Sequence, residues 1–392
     1  MTKTNNIPKH WQIKKLGDVC RIVYGKGLPI KELKKTGYPV FGANGIIGHN
    51  DKYLYEQEEV LISCRGASSG KINLSPPKCY VTNNSLILEI NNDKQLYKKF
   101  LFHILQTVNK TKLVTGTAQP QVTINNAVEL SFILPPLPEQ EAIVAKIEEL
   151  LSDLENGKQQ LITAQQQLKI YRQSLLKWAF EGKLTNKDVK DGELPEGWKW
   201  VALDKVSDSC LGKMLDKTKN KGIFQPYLRN ISVRWGKFDL SNIEEMKFEP
   251  HEEERYRLKY GDLIICEGGE PGRCAIWKSN NPNMKIQKAL HRVRVYDSLS
   301  VTFLYYFIYY SSMSGMLYKY FTGTTIKHLT GRELKKIEFP LPLLKEQQQI
   351  VDELESKLTV CDKIEETISQ SLLQAESLKQ SILKKAFEGK LV

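Results

Sequence analysis

Cysteine is present but never paired at metal-binding spacing: Cys20, Cys64, Cys79, Cys210, Cys266, Cys274 and Cys361 include no CxxC pair, and their number, seven, is odd. That excludes a zinc ribbon and a disulfide framework and points to a reducing compartment. A secretory signal is lacking, because the N-terminus is polar over its first ten residues. A membrane-length apolar run is lacking too. The most apolar stretch, Val301 to Tyr310, is rich in tyrosine and phenylalanine and far too short to span a bilayer. The expectation is a soluble, cytoplasmic protein.

Catalytic patterns are also missing. Arg65-Gly-Ala-Ser-Ser-Gly-Lys71 hints at a phosphate loop, but only three residues separate its glycines, and Ile72 stands where magnesium needs a hydroxyl. Ser75-Pro-Pro-Lys78 lacks the aromatic that would stack on a flipped base. The histidines (His10, His49, His103, His251, His291, His328) contain no HxxxH pair, and there is no Gly-rich dinucleotide fingerprint. Glu181-Gly-Lys183 and Glu388-Gly-Lys390 resemble half of a nuclease metal motif, but they lie where a helix should end, and glycine there is a terminator. No active site and no metal site are expected in this chain.

What the chain does have is a stretch that occurs twice. Residues 139–184 and 346–391 open on Glu139-Gln140 and Glu346-Gln347 and close on Phe180–Leu184 and Phe387–Leu391, with a constant offset of 207 residues and no gap. Such a repeat governs the architecture. In the first copy Ile143, Ile147, Leu150, Leu154, Leu161, Ala164, Leu168, Tyr171, Leu175 and Trp178 follow alternating steps of four and three, with Gly157 the one gap. In the second, Ile350, Leu354, Cys361, Ile364, Ile368, Ala375, Leu378 and Ile382 take equivalent places, interrupted by Lys357 and Ser371. A sustained 3.5-residue spacing keeps one apolar stripe toward a partner helix, as in a coiled coil. About 40 residues at ~1.5 Å each make a rod of roughly 60 Å. An ordinary amphipathic helix on its own domain is the alternative, and the gapless duplication favours the shared rod.

Charge divides along the same lines. The net +12 splits into +9 for residues 1–138 and +7 for 185–345, against −1 and −3 for the two helical repeats. Basic charge confined to two repeated domains favours nucleic acid as a partner over mere solubility.

The intervening segments repeat as well. Trp11, Leu16 and Val19 match Trp198, Leu203 and Val206, and each tryptophan is expected to anchor its domain in the core. The sequences then diverge, through residues 26–45 in one half and 213–236 in the other, as expected of a common scaffold that reads different things. They converge at the strand-like Val60–Gly66 and Asp262–Gly268, then at Phe100–Ile104 and Phe307–Ser311, expected to be core helix. The prolines of Leu134–Pro138 and Leu341–Lys345 mark where each rod can start. The expected order is a domain at 1–138, a helical region at 139–184, a second domain at 185–345 that begins with a polar linker, and a second helical region at 346–392. If the second rod pairs with the first, it returns antiparallel and gives the molecule a pseudo-two-fold repeat. The fold class is therefore mixed α+β, two globular domains separated by two long helices in an antiparallel intramolecular coiled coil.

In this order the chain resembles the specificity subunit of type I restriction–modification systems. The resemblance is carried by Leu194-Pro-Glu-Gly-Trp198, by Thr115-Gly-Thr117 and Thr322-Gly-Thr324, and by Leu134-Pro-Pro-Leu-Pro-Glu-Gln140 and Leu341-Pro-Leu-Leu-Lys-Glu-Gln347. It is carried too by Ala-Phe-Glu-Gly-Lys-Leu at 179–184 and 386–391. It covers essentially the whole chain. It implies a non-catalytic DNA-binding subunit of a phage-defence complex, whose two recognition domains each read half of a bipartite site while the rods fix their spacing. It further implies two methyltransferase subunits bringing S-adenosylmethionine, and restriction subunits bringing ATP and magnesium, with no cofactor on this chain.

Polar loops near the duplicated turns supply the candidate DNA contacts, since Lys and Arg attract phosphates and Arg, Lys, Asn and Gln pair with base edges. In the first domain these are Lys26, Asn44, Arg65, Ser68, Lys71, Thr117, Gln119 and Gln121; in the second, Lys213, Arg229, Arg234, Arg273, Thr324, Lys327 and His328. The outer faces of the rods, including Gln165-Gln-Gln167, are expected to meet the methyltransferase subunits. The rival reading is a two-headed coiled-coil scaffold that binds proteins, which basic heads on acidic rods disfavour.

Overall fold

Val60–Ser63 and Leu263–Cys266 are each buried along their whole length, and a short apolar run covered on both faces belongs inside a sheet. The computed structural model, which describes residues 8–116, 119–186, 188–216, 218–281 and 283–391, sets each run within a four-stranded antiparallel sheet. The strand orders are Cys20–Tyr24, Ser85–Ile90, Val60–Ser63, Ile72–Leu74 and Ser207–Leu211, Leu290–Val295, Leu263–Cys266, Cys274–Ile276. A three-stranded sheet accompanies each: Ile46–Asn50, Tyr38–Phe41, Tyr80–Val81 in one, and Glu244–Phe248, Ile223–Leu228, Lys285–Ile286 in the other, the last pair parallel in both. The stretches whose sequences diverge thus keep one topology.

Side chains alternate across these sheets with the period of two that a strand imposes. Val60, Ile62, Leu86 and Leu88 face the helix Lys98–Thr107 and its Phe100, Leu101 and Ile104, while Leu61 and Ile87 face Phe41, Cys79 and Val81. In the second domain Leu263, Ile265 and Val293 face the helix Val301–Met313, and Ile264, Cys266 and Ala275 face Leu228, Trp277 and Ile286.

Contacts gather the chain into two compact units, one running to Ile162 and taking in the chain from Ser369 onward, the other spanning Thr163–Ile368. Each unit therefore holds one globular domain, the start of one long helix and the end of the other. The helices are Leu137–Phe180 and Leu344–Phe387, 44 residues each. They begin two residues before the Glu-Gln repeats, since the first turn has no need of the N–H that Pro138 lacks. They end at the phenylalanines because Gly182 and Gly389 turn left-handed, with φ of +78° and +67°. A Cβ on Gly182 would stand 2.1 Å from Pro195 Cγ, so no other residue fits that turn.

Within each unit the two helix segments run antiparallel. In the first, Lys158 meets Glu376 at 2.6 Å, and Ile143, Val144 and Ile147 share a core with Leu383, Ala386 and Phe387. In the second, Arg172 binds Asp362 and Glu365 at 2.7 and 2.9 Å, and Leu168 and Leu175 share a core with Ile350, Leu354 and Cys361. The seam is narrower than the four-three spacing predicts. Leu354, Cys361, Ile368, Ala375 and Ile382 are buried at one position per heptad, whereas Ile364 and Leu378 are 44% and 50% exposed. Those two share their row with Lys357 and Ser371, and the matching row of the first helix holds Gly157 and the exposed Tyr171. A row so poor in apolar surface has little to bury, so the helices roll onto the other row. Leu150, Leu154 and Leu161 are half-buried.

The Glu-Gln repeats join each rod to its domain. Gln140 is fully buried: its Oε1 accepts the Tyr97 amide at 2.8 Å, and its Nε2 donates to the Gln95 and Pro135 carbonyls at 2.9 and 2.8 Å. Gln347 repeats this with the Ser300 amide at 2.8 Å and the Ser298 and Pro342 carbonyls at 3.0 Å each. The neighbouring Glu139 and Glu346 accept the indole N–H of Trp11 at 2.8 Å and of Trp198 at 3.0 Å. The Trp11 contact holds the Glu139 carboxyl below its usual range. Gln347→Leu leaves three backbone groups without partners and is expected to cost on the order of 3 kcal/mol. Removing the exposed neighbour, Gln348→Leu, is expected to change stability by less than about 0.5 kcal/mol. Urea unfolding of both variants checks this, and equal losses would contradict it.

Candidate nucleic-acid interface

Ser63 ends the inner strand of the first domain, and the loops around it are tied together by hydrogen bonds. Its hydroxyl donates to the Ala43 carbonyl and accepts from Asn73 at 3.0 Å, while Ser85 Oγ donates to the Gly42 carbonyl at 2.8 Å. The Cys64 amide donates to Asn84 at 2.9 Å, the Gly66 amide to Pro120 at 3.2 Å, and Ser69 Oγ to the same Pro120 carbonyl at 2.6 Å. Arg65 pairs with Gln121, and Lys26 with Thr82. At Gly25 the backbones cross so closely that a Cβ would lie 2.2 Å from the Thr82 oxygen, and at Gly212 in the second domain 2.3 Å from Gln287. Five loops thus converge on one end of the sheets.

Of the candidates in this domain, Lys26, Asn44, Arg65, Ser68, Lys71, Gln119 and Gln121 all stand on these loops. Ser68 is half-buried and the others are exposed. Among the described residues Lys26, Arg65 and Lys71 have no ion-pair partner, which leaves three free cations. Thr117 lies outside the described residues.

The second domain builds the same convergence from other side chains. Lys213 takes the place of Lys26, paired with Gln287 where Lys26 pairs with Thr82. It is no candidate contact. It is 8% exposed, ion-paired with Glu252, hydrogen-bonded to the Lys247 carbonyl at 3.0 Å and 5.2 Å from the Phe248 ring centroid. Arg273 is likewise drawn inward, to Glu270 at 2.8 Å and to Asn230 Oδ1 at 2.8 Å. Arg229 is held by Glu244 and by the Asn242 carbonyl at 3.2 Å. In all three the physical reason is a carboxylate within reach, which converts a free cation into a brace. Arg234, 3.7 Å from Asp239, keeps a half-exposed side chain. Thr324, Lys327 and His328 are exposed on the loop that the Leu329 amide fastens to Glu267 at 2.7 Å. Asn230 ties the next loop in, through Gly268 at 2.6 Å.

Two residues of this cluster escaped the sequence reading. Glu267 stands where the first domain has Cys64, its amide donating to Ala289 and its carbonyl accepting from Leu329 as Cys64 does with Asn84 and Val122. The sequence match of Val60–Gly66 with Asp262–Gly268 thus lies one residue out of structural register, and Arg65 corresponds to Gly268. Asn230, which braces both Gly268 and Arg273, left no signal, because its partners are distant in sequence.

Among the described residues no three His, Cys, Asp or Glu side chains gather as metal ligands, and no helix is long and apolar enough to cross a membrane. All seven cysteines are free, and burial pushes the thiols of Cys20 and Cys266 up to about 12 and about 11, so neither is a nucleophile.

The family model of the type I restriction modification DNA specificity domain matches this chain twice, over residues 8–164 and 195–374. Each match covers one globular domain and much of the helix that follows. The chain therefore belongs to the type I restriction–modification DNA specificity family. Among its relatives, the type I restriction enzyme EcoKI specificity subunit of Escherichia coli K12 is 26% identical, over 98% of this chain and 90% of that protein. The MjaVIII specificity subunit of Methanocaldococcus jannaschii is 24% identical, over 98% and 94%. The same fold occurs in the HsdS subunit of Thermoanaerobacter tengcongensis, with a TM-score of 0.65 at 22% identity and full coverage of both chains. It occurs again in a solved type I R-M system, with a TM-score of 0.69 at 22% identity, over 98% and 99% of the two chains.

The two lysines at matching places should behave oppositely. Burial resists the charge on Glu252, but the Glu249 amide and the Lys213 ammonium outweigh it and hold that carboxyl below its usual range. A depressed carboxyl contributes stability that is complete above its unfolded value and fades as pH falls through the folded one. Lys213→Ala is expected to cost about 3 kcal/mol at neutral pH and less under acid conditions below the ordinary carboxylate range. Lys26→Ala is expected to change stability by under about 0.5 kcal/mol at either pH. Denaturant unfolding at both pH values measures the contrast, and equal costs would refute the assigned roles.

Proposed function

We infer that this chain is the DNA-reading component of a type I restriction–modification complex, each loop cluster reading one half of a bipartite duplex site. The observation that supports it most is the pair of loop clusters: same topological place, same glycine crossings, different exposed side chains. A protein-binding scaffold would not need two such ends of unlike charge pattern on one conserved frame. The long helices set the unspecified gap between half-sites and offer their outer faces to two methyltransferase subunits. Those subunits supply S-adenosylmethionine, restriction subunits supply ATP with magnesium, and this chain adds no catalysis of its own.

The two clusters would not share the work equally. Lys26, Arg65 and Lys71 offer unpaired charge to phosphates, whereas of their counterparts Lys213 and Arg273 are braced and Gly268 carries no charge. The first domain therefore carries more of the salt-dependent affinity. Replacing its three cations together by alanine should flatten the dependence of log affinity on log salt by up to about 2.7, at ~0.9 per phosphate contact. Binding by the complex with methyltransferase, titrated across salt concentrations, gives that slope. A slope unchanged by the triple variant refutes the role of these cations.

The gap is tested separately. Seven residues inserted in phase into both helices add ~10 Å of rise, about three base pairs of B-DNA. Mapping methylated positions in host DNA carrying either gene should yield the same two half-sites with a longer gap. A motif with an unaltered gap, or no motif lost when the gene is deleted from an expressing host, overturns the reading.

A further inference from the structure

In the second unit the edge strand Ser207–Leu211 and its neighbour Leu290–Val295 form the floor of an open basin of about 940 Å³, walled by the turn at His251–Arg255 and the short helix Gly331–Lys335. Five cations line it, Arg255, Arg292, Arg294, Arg332 and Lys335, against two carboxylates, Asp208 and Glu254. Those carboxylates offset only part of the set. Asp208 is taken by Arg292, and Glu254 by Arg257 and Lys259, neither of which lines the basin. Arg294 is held by Asp262, which does not line the basin, through two bonds of 2.8 Å. Arg255, Arg332 and Lys335 have no ion-pair partner among the described residues.

Arg292 is the unusual member. It is 4% exposed, and its Nε is buried without a hydrogen-bond partner. Asp208 meets its charge, but the unmade Nε–H bond still costs free energy, so the position needs a reason. The fold does not supply one. At the same place in the first domain's sheet stands Ile87, 1% exposed in an apolar core, with Glu89 where this unit has Arg294. The helix matching Gly331–Lys335 there, Ile124–Val128, carries no charge at all. The shared scaffold is thus content with an isoleucine, where this unit lines a hollow with arginine.

We propose that this basin is a phosphate-binding site, with Arg332, Lys335 and Arg255 gathering a polyanion and Arg292 completing its hydrogen bonding from below. Guanidinium forks suit phosphate oxygens, and the volume is that of a small-molecule site. The phosphate is that of a free, nucleotide-like polyanion, and the experiment separates it from a duplex backbone. The site does not depend on the DNA-reading assignment, since a chain that binds no specific sequence can still hold a polyphosphate there.

The test uses the full chain with two probes, inorganic tripolyphosphate and a 30-base-pair duplex lacking the methylation motif. Two variants are compared with wild type. Arg332→Ala/Lys335→Ala removes exposed charge, and Arg292→Ile installs the residue the fold uses in its other copy. Both variants are expected to melt, without ligand, at or above the wild-type temperature. Tripolyphosphate is expected to raise the wild-type melting temperature and to bind both variants at least about tenfold more weakly, as befits lost charged hydrogen bonds. If only duplex affinity falls by that factor, the basin is a backbone contact of the DNA-reading domain and the proposal of a separate polyphosphate site fails. If neither probe distinguishes the variants from wild type, or if Arg292→Ile alone unfolds the unit, the arginines are structural and the proposal fails.

Discussion

Everything in each unit hangs on one buried amide. Gln140 and Gln347 each stand where three segments meet: the first turn of a long helix, the loop before it, and the N-terminal end of the core helix whose capping residue, Tyr97 or Ser300, presents its N–H. The junction needs one acceptor and two donors on a single short stem, because it closes one amide and two carbonyls that have left water. A carboxylate has no donor at neutral pH and an apolar residue has neither. Only with that junction closed can the helix leave its domain at one fixed direction, and the adjoining Glu-to-Trp bond adds a second pin beside it.

The far ends of the helices are fixed by a different force. Phe180 packs among Phe303, Phe307 and Tyr310, and Phe387 against Phe100. Burying such a ring is worth roughly 1.5–3 kcal/mol. The glycine that follows each phenylalanine turns the chain back before the helix can overrun the domain it has reached. Between these anchors the seam is thin, one buried residue per heptad, so the coil is held chiefly at its ends and by charged pairs along its flanks. Each domain is thereby welded to one helix start by hydrogen bonds and to one helix end by aromatic burial.

On that frame, identical topology carries opposite chemistry. The exchange of Arg65 for Gly268, the capture of Lys213 by Glu252, and the replacement of Ile87 by Arg292 all fall at equivalent points of one scaffold. None disturbs the strand order, because each side chain stands at a strand end or on a sheet face where backbone pairing is already complete. This is how a duplicated domain acquires two different surfaces without losing its fold.

The duplication, the helical character of both repeats, the inner strands, the core helices and the tryptophan anchors were all legible in the residues, since each rests on periodicity or on local spacing. Backbone physics acts over a few neighbours, and a sequence displays those neighbours directly. What stayed hidden rests on partners far apart in the chain. Lys213 looked like its free counterpart Lys26 until Glu252 stood beside it, and Ile364 and Leu378 fitted the seam until the row they share with Lys357 and Ser371 turned to water. The sequence by itself determined the repeat, the elements and the sign of the charge on each part. The tertiary structure alone decided which cations are braces and which are free, because an ion pair depends on distance in space, and distance in space is what folding creates.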